Sequence, residues 1–157
     1  MALIGYNNAS VASTDTYRRH TLGIKAVDDD GKEYRYVYFT AEVQPYRLVA
    51  IDRSFNAQSA TEALIDGASP KPAVSISVTC PISTYGWVQV YGSTSLRCKA
   101  TCKSTSVIYP STTAGSVDDS GTTEILGIYV CTTVTISASA TKTCFIFMEP
   151  VSGKVLA

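Results

Sequence analysis

One histidine and one tryptophan occur in 157 residues. With His20 alone, any Ser-His-Asp or Cys-His arrangement would have to pass through a single position. His20 stands beside Arg18 and Arg19 in a weakly patterned segment, whereas catalysis needs a rigid, shielded frame, so it reads as a surface histidine. Charge is scarce as well: 17% of residues are charged, and 13 basic side chains balance 13 acidic ones. That neutrality argues against wholesale electrostatic binding of nucleic acid or an anionic membrane. No apolar run approaches the ~20 residues that cross a bilayer. Met1-Ala-Leu-Ile-Gly-Tyr-Asn-Asn8 has no basic start and no long apolar core, so no secretory signal is expected and the chain reads as soluble and cytosolic when made. Missing too are a G-x-x-x-x-G-K-[ST] phosphate loop, an H-E-x-x-H helix and a nucleophile elbow. No cofactor is implied, and no pair of carboxylates stands out for glycosidase-type chemistry.

What is present is apolar and β-forming. Hydrophobic residues make up 45%, and serine and threonine number 18 and 19. Such a chain buries a core and is of a length for one domain. Five cysteines cannot all pair within one molecule. Read as a strand, Leu96, Cys98, Ala100 and Cys102 share a face, and Cys144 shares one with Ile146 and Met148, so buried free thiols are expected. A zinc site would need a second correctly spaced pair beside Cys98-x3-Cys102, and no metal is expected.

Residues 1–21 are polar and without period, and read as an arm before a β domain at 22–157. Leu22–Val27 and Tyr34–Phe39 flank Asp28-Asp-Asp-Gly31, a tight-turn sequence, so they form a hairpin. The three aspartates resemble the start of a calcium loop, but the helical flanks and late glutamate are missing, which leaves an acidic turn. Arg47–Ile51 follows Pro45 as a short strand, and Ala57–Ile65 has the pattern of two helical turns. Further strands are expected at Ala73–Cys80, Tyr85–Tyr91, Ser93–Lys103, Val107–Tyr109, Glu124–Thr135 and Thr141–Met148, with a polar loop at Ser111–Gly121. Eight or more short strands predict a single compact all-β domain, an antiparallel barrel or sandwich with an extended N-terminal arm.

Ten tyrosines are the main candidates for a contact surface. Tyr34, Tyr36 and Tyr38 share one strand face, with Arg35, Val37 and Phe39 on the other. Exposed, the stripe is a protein or sugar platform; buried, it is core packing with hydroxyls at the rim. Because one face must be inside, the other needs a cover, supplied by a partner chain or by the arm. Tyr17, Arg18 and Arg19 read either as an interface anchor or as solvated surface residues.

The order of features carries a resemblance. Asp30-Gly-Lys-Glu-Tyr-Arg-Tyr-Val37, Tyr46-Arg-Leu-Val-Ala-Ile-Asp52, Tyr85-Gly-Trp-Val-Gln-Val-Tyr-Gly92, Ser111-Thr-Thr-Ala-Gly-Ser-Val-Asp118 and Ile125-Leu-Gly-Ile128 follow one another. This series resembles the head decoration, or cement, proteins of tailed bacteriophages, over about residues 22–149. The resemblance implies a non-enzymatic virion protein, made in the bacterial cytosol, that binds the outer capsid surface and bridges major capsid protein subunits. It also implies self-association, as a homotrimer, and carries no catalytic or ligand residues over. Two other readings stand beside it: a head-fibre or tail component, and a carbohydrate-binding β-sandwich using Trp87 or the tyrosine stripe. An exposed Trp87 would favour sugar; a buried one removes that support.

Overall fold

The computed structural model describes residues 10–65, 70–100, 102, 107–131 and 139–154. Over these residues it is nearly all β, 53% strand and 3% helix, with a closed five-stranded barrel and additional strands.

The hairpin forms as its turn sequence predicts. β1 (Lys25–Val27) pairs antiparallel with β2 (Glu33–Phe39), and Gly31 at φ +76° supplies the left-handed turn residue. Asp28 organises the turn: its Oδ1 accepts from Asp30 N at 3.0 Å and Lys32 N at 2.9 Å, and its Oδ2 accepts from the Tyr34 hydroxyl at 2.9 Å. A buried carboxylate is tolerated there because three donors replace its water.

The barrel runs β2, β4 (Asn56–Ser59), β3 (Leu48–Ile51), β5 (Lys71–Ser75) and β6 (Thr84–Cys98), and closes where Tyr36 and Val37 pair with Trp87 and Gly86. The pairings are antiparallel as expected, except that β2–β4 and the contact of β6 with β8 (Val117–Asp118) are short parallel joins. The helical reading of Ala57–Ile65 is corrected. Its first residues join the barrel as β4, and only α1 (Glu62–Ile65) is helical, because pairing with strands on both sides overrides local propensity. The strand expected at Ala73–Cys80 ends at Ser75, although Cys80 returns to pair with Val43.

β3 is buried on both faces, which explains the unbroken apolar run Leu48-Val-Ala-Ile51. Val49 and Ile51 join Val37, Phe39, Ala57, Ala73 and Val88 in one core. Leu48 and Ala50 join Val74, Leu96, Ile108, Ile125, Ile128 and Ile146 in a second. Between this second core and solvent lies an outer sheet of β6, β10 (Ala140–Lys154) and β9 (Thr123–Val130); β7 (Tyr109–Pro110) pairs with β8 alongside. β6 serves both units. It pairs with β2 as far as Tyr91, and from Gly92 onward with β10. Gly92 sits at φ +96°, where an added Cβ would lie 2.8 Å from Lys32 Cγ, and the β2–β6 register shifts just before it, so the strand continues through an irregular, closely packed point. That strand ends at Cys98. Cys102, expected from alternation on the same strand, lies beyond its end, and is buried as expected.

Residues 10–21 do not stand away from the body. Asp15 exchanges two 2.8 Å backbone hydrogen bonds with Tyr85, Val11 enters the first core, and Arg19 N donates to the Tyr36 hydroxyl at 3.3 Å. The rest of the expected arm, residues 1–9, lies outside the described residues.

Candidate functional site

Alternation along the outer sheet decides what it shows to solvent. In β10, Cys144 and Ile146 point into the second core, so Phe145 and Phe147 point away from it. In β9, Ile128 and Val130 point in and Tyr129 points out. Phe145 lies directly opposite Tyr129 on β9 and Ser93 on β6. The rings form a chain: Tyr91 to Phe145 at 6.3 Å, Phe145 to Tyr129 at 6.1 Å, and Tyr129 to Phe147 at 5.9 Å between centroids. Tyr91, Tyr129, Leu126 and Phe147 are 37, 37, 44 and 49% exposed. At ~200 Å² per large side chain, these four leave roughly 300 Å² of mostly apolar surface in water; the rings adjoin one another, and Leu126 lies farther along β9, past the slip in register. Beyond Ile146 the β10–β9 register slips until Val151, beside Gly127 at φ +94°, so the patch ends at an irregular edge.

A crevice of about 550 Å³ adjoins Ser93 and Thr143 and is also lined by Val11, Tyr34, Tyr46 and Gln89. Gln89 Nε2 donates to the carbonyls of Tyr91 and Ser93, both at 3.0 Å, which holds the bend at Gly92. The face presents rings and hydroxyls to solvent.

The residues singled out from sequence fall into two groups. Tyr17, Arg18 and Arg19 are on the surface: Tyr17 is 60% exposed, the Arg19 guanidinium lies 4.9 Å over its ring, and Arg19 Nε meets Asp15 Oδ1 at 2.7 Å. Tyr34 and Tyr36 are inside, so as contact residues they are corrected. Tyr38 is half-buried, its ring 4.9 Å from Tyr85. The cover that the stripe required comes in part from this chain's own residues 10–21. His20 packs 5.0 Å from Tyr36 and 5.5 Å from Trp87, so it is a half-buried packing residue and not the surface histidine expected. Trp87 is 2% exposed, which removes the tryptophan from the sugar-binding reading.

Burial raises the Tyr34 hydroxyl well above its ordinary range, helped by its bond to Asp28, and raises Tyr36. Burial likewise pushes the thiols of Cys80 and Cys144 up to about 12. Cys98 is raised because it hydrogen-bonds to Cys102 and is buried. These thiols are protonated at neutral pH and packed in cores, which suits structure and not nucleophilic attack. No disulfide is present; Cys131 is exposed and the other four cysteines are buried.

The signal for the outer face was in the sequence. Placing Cys144 and Ile146 inside already sends Phe145 and Phe147 outside, but tyrosine abundance drew attention to β2 instead. The chain matches no known family, no curated protein and no solved structure.

Proposed function

We propose that the chain is a non-enzymatic structural protein that attaches through its outer aromatic face to a larger protein lattice, the outside of a tailed-phage head. There it bridges major capsid protein subunits as a decoration or cement protein. The observation that carries the reading is the ring chain Tyr91–Phe145–Tyr129–Phe147 on the solvent side of a sheet whose other side is a filled core. The choice of lattice rests on the ordered motifs that resemble head decoration proteins. Covering roughly 300 Å² of apolar surface yields about 8 kcal/mol gross at ~25 cal/mol per Å². Association of one copy costs about 4–15 kcal/mol in lost freedom, so a lone contact of this size is near break-even. Repetition changes that. Copies joined as a homotrimer, or bridging neighbouring lattice subunits, make the later contacts intramolecular and turn weak binding into firm clamping.

The test is co-sedimentation of the purified chain with expanded phage heads lacking their own decoration protein. The chain should pellet with the heads, and Tyr129→Ser combined with Phe147→Ser should stay in the supernatant while melting like the native chain. Equal pelleting of the double variant, or a native chain that never pellets, overturns the proposal. A head-fibre or tail component would use the same adhesive face; pelleting with tails alone would identify it.

A further inference from the structure

The crevice beside Ser93 and Thr143 holds one acceptor that nothing in the fold satisfies. Gln89 is only 5% exposed, and its Nε2 donates to the carbonyls of Tyr91 and Ser93. Both partners only accept, so the orientation of the amide is settled and Oε1 is its open end. Oε1 has no hydrogen-bond partner among the described residues, yet it is not sealed from solvent, and Gln89 lines the crevice. A side-chain acceptor so deeply set and left open calls for a donor from outside the chain.

The surroundings define that donor. Of the side chains lining the crevice only Lys32 is charged, and its Nζ lies 3.6 Å from Asp30 Oδ2, so nothing there selects an ion. Val11 and Ile76 belong to the first core and supply an apolar floor, while Ser77, Ser95 and Thr143 bring hydroxyls. Tyr46 is also in the wall, half-buried at φ +59°, a conformation an aromatic residue keeps only where its surroundings enforce it. They do: its N donates to Ile76 O at 3.2 Å, and its O accepts from Arg97 N at 2.8 Å. Among the described residues, the Tyr46 ring stacks on no other ring and its hydroxyl has no partner. The adjoining edge of β6 is closed to an extended peptide. Gln89 Nε2 already occupies the carbonyls of Tyr91 and Ser93, and Tyr46 O occupies Arg97 N.

We propose that this crevice binds a short neutral saccharide. A sugar hydroxyl donates to Gln89 Oε1, the C–H face of a ring rests on Tyr46, and other hydroxyls exchange hydrogen bonds with Ser77, Ser95 and Thr143. The volume of about 550 Å³ lies within the ~300–1,000 Å³ of small-molecule sites. It is also more than three times the ~150 Å³ that accommodates benzene, room for two six-membered rings with their substituents. The site uses neither Trp87 nor the outer-face rings, so it stands or falls apart from the lattice reading.

The test titrates maltose, cellobiose, lactose and mannobiose in turn into the full ¹⁵N-labelled chain. At least one should shift the Gln89 side-chain amide and the backbone amides of Ser77 and Ser95 saturably at millimolar sugar. Tyr46→Asn, which tolerates the left-handed φ but removes the ring, should weaken that binding about tenfold. Gln89→Leu should abolish it, and Thr143→Val, at an exposed position that folding does not depend on, should weaken it severalfold. Tyr129→Ser combined with Phe147→Ser should bind the sugar as the native chain does. No saturable shift with any of these sugars, binding indifferent to both Tyr46→Asn and Thr143→Val, or binding lost in the outer-face double variant would each overturn the assignment.

Discussion

Alkali should loosen this protein well before its peptide bonds or arginines are affected, and the amount can be worked from two thiols. Cys80 and Cys144 are both fully buried, and each has its pKa moved by burial from 9.0 to about 12. In the unfolded chain both ionise near pH 9; in the folded chain both stay protonated far longer. A raised folded value means that the contribution is fully present below the unfolded pKa and is lost as pH climbs toward the folded one. At 1.36 kcal/mol per pH unit for each proton, the two groups together remove about 3 kcal/mol between pH 8 and pH 10. Because pH 10 lies below both folded values, that loss is governed by the unfolded pKa. Tyr36 and Tyr34, also raised by burial, add losses of the same sign from about pH 10 upward. Against a total of about 5–15 kcal/mol for an ordinary domain, 3 kcal/mol is a large share. The assay is urea unfolding with reductant at pH 8, 9 and 10. Cys80→Ala combined with Cys144→Ala is weaker at pH 8, yet its stability should fall with pH by about 3 kcal/mol less than the native chain's over the same interval. Native stability that is flat from pH 8 to 10, or an unchanged slope in the double variant, would refute the reasoning.

Two local substitutions probe the barrel end and the hairpin. Gly23→Ala forces a side chain into a left-handed position and against the Phe55 ring, and should cost about 3 kcal/mol in urea unfolding. Asp28→Ala strands the Tyr34 hydroxyl and two amides, and should also cost about 3 kcal/mol, read as a melting temperature lower by roughly 10 °C; Asn, which keeps the Oδ1 acceptor, should lose less.

Local chemistry was readable where a few neighbouring residues settle the outcome. Asp30-Gly31 fixes the first hairpin, and the apolar run at Leu48–Ile51 announces a strand covered on both sides. What joins distant segments was not readable. Barrel closure depends on the parallel β2–β4 contact and on β2 meeting β6, both set by the three-dimensional path. The N-terminal segment misled for a related reason. Its polar composition suggests detachment, yet Asp15 is held by main-chain bonds that any residue can make, and His20 by stacking on rings that only the fold brings near. The tyrosine stripe shows the same limit: alternation groups Tyr34, Tyr36 and Tyr38 correctly, but period 2 does not say which side the chain itself will cover.

That covering bears on how the molecule would carry load. The rings on β2 are covered in part by residues 10–21, while those on the outer sheet are open to solvent. The open group is not peripheral to the body. β6 runs without a break from the barrel, where Trp87 is packed against Tyr36, into the outer sheet, where Ser93 lies opposite Phe145. β3 contributes alternate side chains to both cores. A pull on Phe145 or Tyr129 is therefore passed through hydrogen bonds to β6 and along its covalent chain into a closed barrel. Sheet-to-sheet sliding would have to break the second core and the β6 backbone together, which gives the exposed aromatic face a stiff mount.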